Sequence, residues 1–160
     1  MPKVFLLLGG NLGERTAYLE KARTKVAEQV GTVNVTSKLY ETAAWGKTDQ
    51  PSFLNQVFEV ETALLPEQVL HSINQIEQEL GRERFEHWGS RVIDIDILFY
   101  DNLVLQTQRL TIPHPQLHNR RFTLAPLAEI APLLVHPVLN KSMDQLLKEC
   151  KDELEVNVYK

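Results

Sequence analysis

The run Arg91-Val92-Ile93-Asp94-Ile95-Asp96-Ile97-Leu98-Phe99-Tyr100 constrains the fold more than any other stretch of this chain. Its β-branched and aromatic residues predict a strand over 92–100, and side chains alternate along a strand. Asp94 and Asp96 therefore share one face, while Ile93, Ile95 and Ile97 occupy the other. Two residues of rise place the aspartate backbones roughly 6.6 Å apart. Aspartate disfavours strands, and like charges side by side repel unless a cation compensates. A solvated strand face is the weaker reading, so the pair reads as a metal site. Oxygen-only ligands select Mg²⁺ or Ca²⁺ over zinc, as one cation or as two ions about 3.5–4 Å apart.

Around that strand, hydrophobic periodicity outlines the other elements. Val4–Leu8 predicts a buried strand, and Gly9-Gly10-Asn11-Leu12-Gly13 is expected to break it. Leu19, Ala22, Val26 and Val30 mark one face of a helix over 14–30, with Gly31 as its stop. Strands are expected over 33–42 and 53–62. Pro66 then opens a helix whose inner face is Val69, Ile73, Ile76 and Leu80, ended by Gly81. Asp101-Asn102 turns the acidic strand into Leu103-Val104-Leu105, and 111–119 should be irregular. A short helix is expected over 122–130, and Ser142 with Gln145 suggests a capping box for a last helix reaching Cys150. The order β-α-β-β-α-β predicts an α+β, ferredoxin-like antiparallel sheet with helices packed on one face and a C-terminal extension.

A chain of 160 residues can bury roughly 70% of its unfolded surface, enough for one core. With no repeat, linker or low-complexity tract, residues 1–160 are expected to form a single domain. A composition of 43% hydrophobic and 24% charged residues excludes disorder, collagen and disulfide scaffolds. The net charge of −4 argues against a nucleic-acid surface. Cys150 is the only cysteine, so it forms no internal disulfide and no cysteine metal cage, and a packed thiol is expected. The apolar stretch Val4–Leu8 is too short for a signal sequence or a membrane span, which suggests a cytoplasmic protein.

A second chemical feature surrounds the aspartates. Between 82 and 121 lie six arginines and no lysine: Arg82, Arg84, Arg91, Arg109, Arg120 and Arg121. Arginine without lysine suggests bidentate phosphate or carboxylate recognition. Beside a carboxylate pair, the set points to a polyphosphate–Mg²⁺ site rather than to ordinary surface ion pairs. Other features are softer. The Gly9–Gly13 segment has the strand-to-helix context of a phosphate loop but lacks the Walker lysine and the full GxGxxG spacing, so a tight turn is the default. Trp45 and Trp88 stand in loops beside glycine, as core plugs or ligand platforms. His114, between two prolines, contacts phosphate or caps its loop, while His71 and His136 read as structural. Hydrolase nucleophile motifs are missing from the sequence.

Taken together, these motifs resemble the 6-hydroxymethyl-7,8-dihydropterin pyrophosphokinases. The most specific stretch is His87-Trp88-Gly89-Ser90-Arg91-Val92-Ile93-Asp94-Ile95-Asp96-Ile97-Leu98. Leu8–Gly13, Tyr40-Glu41-Thr42, Gln50–Asn55, Gly81–Arg84 and Leu110–Pro115 support it, in the family's order. The resemblance implies that ATP gives its β,γ-pyrophosphoryl group to the pterin hydroxymethyl oxygen, releasing AMP, with two Mg²⁺ ions held by Asp94 and Asp96. It implies catalytic roles for Arg82, Arg91, Asp94 and Asp96. ATP contacts are implied for Asn74, Glu77, Arg84, Arg91, Ile97, Arg109, Thr111, His114 and Arg120. Pterin contacts are implied for Gly9, Thr42, Trp45, Phe53, Asn55, Trp88, Asp94 and Phe122. His87 stands where many relatives carry arginine, and Ser90 and Pro115 also depart from frequent family residues.

The expectation is thus a cytoplasmic monomer acting on ATP and a pterin, with no nucleic-acid or membrane partner. Three alternatives stay open. One is an RNA-binding ferredoxin-like module, disfavoured because the strand face carries aspartates instead of aromatics. The others are a non-catalytic nucleotide- or pterin-binding relative and another Mg²⁺-dependent phosphotransferase.

Overall fold

The computed structural model describes residues 1–11, 13–42, 52–81 and 93–159. In chain order the elements are β1 (Lys3–Gly10), α1 (Arg15–Gln29), β2 (Thr32–Thr36), β3 (Tyr40–Thr42), β4 (Phe53–Glu61), α2 (Pro66–Gly81) and β5 (Asp94–Tyr100). They continue with β6 (Leu105–Gln106), β7 (Thr111–Ile112), a 3₁₀ turn (Leu117–Asn119), α3 (Arg121–Ile130), α4 (Met143–Glu149) and β8 (Val156–Val158). The main sheet runs β5-β1-β4-β3-β8, with β2 also pairing β4, and every pairing in it is antiparallel. β1 therefore runs parallel to β2 and β3 with β4 between them, and β4 runs parallel to β5 with β1 between them. That is the split β-α-β connectivity the element order predicts.

β1 is apolar at every position from Val4 to Leu8, so both of its faces must be covered. Its even-numbered residues join Leu54, Phe58, Val60, Ile95 and Ile97 under the inner faces of α1 and α2. Phe5 and Leu7 point the other way, to Val57, Leu98 and Phe99 beneath α3 and α4. Helices thus cover both faces of the sheet, which corrects the expectation of one. A bulge opposite Phe5 and Leu6 rephases β5, turning Leu98 and Phe99 together into the second core.

Other boundaries also differ from the sequence reading. Gly9 and Gly10 continue β1 instead of breaking it, paired with Asn55 and Leu54. The strand expected over 33–42 is two, separated at buried Ser37. The Ser37 hydroxyl accepts the Val57 N–H at 2.9 Å and donates to the Lys38 carbonyl at 2.7 Å, replacing ladder bonds with side-chain ones. The 111–119 stretch holds β7, a cis Ile112–Pro113 bond and the 3₁₀ turn. Strand β8 lies where no element is expected from the sequence reading. At α4, Ser142 Oγ accepts the Gln145 N–H, but the Gln145 side chain donates to Glu149, so only half of the capping box forms. Cys150 packs half-buried at the rim of the second core. His71, read as structural, is exposed on α2. No helix among the described residues is long and apolar enough to cross a membrane.

Two positions carry stability predictions. Gly31 lies against the Glu61 carbonyl, where a methyl group would overlap that oxygen. Gly31→Ala is expected to destabilise the protein by about 1–3 kcal/mol, seen as a lower urea midpoint at unchanged slope. His136 is 5% exposed, and its Nδ1 accepts the N–H groups of Val138 (3.2 Å) and Leu139 (3.1 Å). Burial, and then the neighbouring His118, hold this imidazole below its ordinary pKa of 6.5. The unfolded chain takes up the proton first, so this contribution is complete above about pH 6.5 and falls as pH drops further. Melting temperature should decline as pH falls from about 6.5 to 5.5, above the carboxylate range. His136→Asn should flatten that decline, and an unchanged slope would remove His136 from the account.

Candidate active site

At the upper end of the sheet the register sets four residues in one row. Asp94 pairs with Gly9, Gly9 with Asn55, and Asn55 with Tyr40. Directly opposed residues of an antiparallel sheet point to the same face. Asp94 and Asn55 therefore flank Gly9 on the side that carries the second core, with Asp96, Phe53 and Thr42 one step away along their strands. The alternation expected for β5 holds: Asp94 is exposed and Asp96 half-buried, whereas Ile93, Ile95 and Ile97 are buried.

Gly9 is there for space. A methyl on its Cα would overlap Asn55 Oδ1, so the glycine lets the Asn55 amide lie across β1. Asn55 is only 6% exposed, yet its amide makes no hydrogen bond among the described residues. The buried Thr42 Oγ1 likewise has no partner among them. Buried polar groups are costly when unmet, so the unpartnered Thr42 hydroxyl close to the Asn55 amide indicates a site that a ligand completes.

Both groups line a cavity of about 230 Å³ together with Leu7, Gly9, Phe53, Asp94, Asp96, Arg120, Phe122 and Leu154. Sheet residues form most of this apolar slot. Arg120 and Phe122 come from the start of α3, the guanidinium lying 5.6 Å from the Phe122 ring centroid. α3 is held in place by Glu129, which accepts the Tyr40 hydroxyl at 2.7 Å and the Lys38 N–H at 3.1 Å. Burial and then the Glu129 hydrogen bond push the Tyr40 phenol well above its usual range, so Tyr40 stays a donor.

A second cavity, of about 360 Å³ and more polar, lies along the β5 edge. It is lined by Asn74, Glu77, Asp94, Asp96, Ile97, Gln108, Arg109, Thr111, His114 and Pro115, among others. Glu77 Oε2 accepts the Ile95 N–H at 2.7 Å, tying α2 to this edge strand. The His114 N–H donates to the Leu98 carbonyl at 3.0 Å, and its Nδ1 accepts the Gln116 N–H at 3.1 Å. The ring thus caps the entry to the 3₁₀ turn and leaves Nε2 to carry the proton of the neutral form. Burial lowers the His114 pKa most strongly, Asp96 opposes that shift and Arg120 adds to it.

Asp94 and Asp96 line both cavities. Among the described residues no cluster of three or more His, Cys, Asp or Glu side chains forms. Two carboxylates cannot enclose a structural zinc ion. They do suit a hard ion that takes its remaining ligands from water and substrate phosphates, as Mg²⁺ does. Of the sequence-predicted site residues, the structure gathers Asp94 and Asp96 with Asn74, Glu77, Ile97, Arg109, Thr111 and His114 in the polar channel. It gathers them with Gly9, Thr42, Phe53, Asn55 and Phe122 in the slot. Arg120, expected with the nucleotide set, lines the slot while its charge still reaches His114. Arg82, Arg84, Trp88, Arg91 and Trp45 lie outside the described residues. Leu154 was not anticipated, although Leu154, Val156 and Val158 alternate with polar residues at a strand's period of two.

Fold and site define an α+β protein in which an apolar slot and a polar channel meet at a carboxylate pair. The family described as 7,8-dihydro-6-hydroxymethylpterin-pyrophosphokinase (HPPK) matches residues 5–132. A 2-amino-4-hydroxy-6-hydroxymethyldihydropteridine pyrophosphokinase of Aquifex aeolicus (strain VF5) is 43% identical over 153 residues, covering 96% of this chain and 92% of that protein. Its namesake in Haemophilus influenzae is 39% identical over 153 residues, covering 95% of each. A crystal structure of Plasmodium falciparum HPPK-DHPS shares the fold, with a TM-score of 0.73 and 21% identity over 93% of this chain and 43% of that one. The present chain thus spans under half the length of that Plasmodium chain. The chain belongs to the 7,8-dihydro-6-hydroxymethylpterin-pyrophosphokinase family.

Proposed function

We propose that the slot holds 6-hydroxymethyl-7,8-dihydropterin, that the channel holds ATP, and that Asp94 and Asp96 hold two Mg²⁺ ions between them. The chain is an ATP-dependent pyrophosphokinase of folate biosynthesis. It transfers the β,γ-pyrophosphoryl group of ATP to the pterin hydroxymethyl oxygen, giving the pterin diphosphate and AMP. The observation that carries this reading is the shared wall: among the described residues, two cavities of different polarity have only the paired carboxylates in common.

In the slot, the Asn55 amide and the Thr42 hydroxyl find their missing partners on the polar edge of the pterin, and Phe53 and Phe122 cover its ring. A cavity below the roughly 300–1,000 Å³ of drug-sized sites suits one flat bicycle. In the channel, Asn74, Glu77 and Ile97 line the space for the nucleoside, while Arg109, Thr111 and the His114 Nε2–H face its phosphates. Arg120 reaches toward the junction from the slot side. Arg82, Arg84 and Arg91 match phosphate-binding positions of the family motif, and Trp45 and Trp88 match positions that border the pterin. When bound, the ions neutralise phosphate charge and draw the two substrates together. Transfer of this kind needs alignment and charge stabilisation more than a strong base. A monomeric, single-domain enzyme completes the proposal.

Product analysis with ATP, Mg²⁺ and the pterin tests the reading. Pterin-dependent AMP is expected. ADP would mean transfer of the γ-phosphoryl group alone, and nucleotide turnover independent of pterin would empty the slot assignment of support.

A further inference from the structure

Residues 151–159 run to the β3 edge of the sheet between two anchors. At the first, the Arg121 N–H donates to Asp152 Oδ2 at 3.0 Å. The Arg121 guanidinium donates to the Asp152 carbonyl at 3.1 and 2.9 Å and to the Cys150 carbonyl at 3.1 Å. The other Asp152 oxygen accepts the Leu154 N–H at 3.0 Å. At the second anchor, Val156–Val158 pair with Tyr40–Thr42, and the Tyr159 N–H donates to the Leu39 carbonyl at 2.8 Å. The Arg15 guanidinium lies 5.5 Å from the Tyr159 ring centroid. Between the anchors one apolar side chain, Leu154, enters the lining of the slot.

This strap lies beyond residues 5–132, the region matched to the family. It nevertheless touches the site twice. Asp152 caps the start of α3 from a distance, since Arg120 supplies no side-chain cap there. Arg121 is turned to the strap, while its neighbours Arg120 and Phe122 line the slot. Among the described residues, Leu154 is the only lining side chain that comes from neither the sheet nor the start of α3.

We propose that the C-terminal strap is part of the acceptor site and that Leu154 is a positioning residue for the pterin ring. The inference rests on the reading of the slot as the pterin site. Hydrogen bonds from Asn55 and Thr42 fix one polar edge of a flat ring, and apolar contact is needed to stop it from sliding within its plane. Leu154 supplies that contact and excludes water, so it governs acceptor affinity and leaves nucleotide binding alone.

Steady-state kinetics on the full chain, varying each substrate, test this. Leu154→Ala should raise the KM for pterin about tenfold, with kcat within about twofold and the KM for ATP unchanged. Leu154→Met should restore the pterin KM to within about threefold of wild type. Glu155→Ala, at an exposed neighbouring position, should behave as wild type. Should Leu154→Ala melt below the assay temperature, Leu154→Val carries the same test with a shift of about threefold. A pterin KM within twofold of wild type in the folded variant, or an equal rise for ATP, would overturn the inference while leaving the slot assignment intact. Absence of pterin-dependent AMP from the wild type would instead overturn the slot assignment, and the inference with it.

Discussion

Asp96→Ala should reduce pterin-dependent AMP formation by about a thousandfold or more while the protein stays folded. Asp96 lines both cavities and shares a face of β5 with Asp94. The described residues bring no third carboxylate, histidine or cysteine into a cluster with the pair. With one ligand lost, the remaining carboxylate cannot hold both ions against the charge of ATP. Stability should move the other way. Without metal the two aspartates repel each other across one strand face, so removing one charge relieves that repulsion. Thermal melts in chelator should therefore show the Asp96→Asn variant at or above wild type, and added Mg²⁺ should stabilise wild type more than the variant. An active Asp96→Ala enzyme would sink the metal assignment. Melts of Asp96→Ala run alongside would show a variant that loses activity only because it unfolds.

Gly9→Ala should cost about a hundredfold in kcat/KM for the pterin, although it adds a single methyl group. The added carbon would overlap Asn55 Oδ1, a side chain held in a closely packed wall. Either the amide rotates away from the slot or β1 and β4 separate locally. Both displace the Asn55 amide, which faces the slot from the middle of the sheet. The measurement is a paired titration: pterin affinity should collapse while the affinity for a non-hydrolysable ATP analogue in the channel stays near wild type. Equal losses at both substrates would mean that the sheet itself has moved. No loss at all would show that Asn55 does not need the space above Gly9.

Much of this was legible without coordinates, for a local reason. Side-chain alternation along a strand is set by backbone geometry, so Asp94 and Asp96 had to share a face once Val92–Tyr100 read as a strand. The inner faces of α1 and α2 followed from a period of 3.6 in the same way: Leu19, Ala22, Val26 and Val69, Ile73, Ile76, Leu80 all lie in the first core. What local pattern could not supply is which groups meet across the chain. Gly9 read as a turn because glycine most often serves there. Its use in β1 depends on Asn55, forty-six residues later, lying across it. The split at Ser37 depends on the Val57 backbone, and the second helical face depends on β1 being apolar on both sides.

The carboxylate pair, the element order and the kind of chemistry were thus determined by the sequence itself, because each rests on spacing between near neighbours. The meeting of two cavities at that pair, the transfer of Arg120 to the slot and the use of Leu154 as its wall were decided only by tertiary structure. Each of these depends on pairing registers between residues far apart in the chain, and no local periodicity encodes a register.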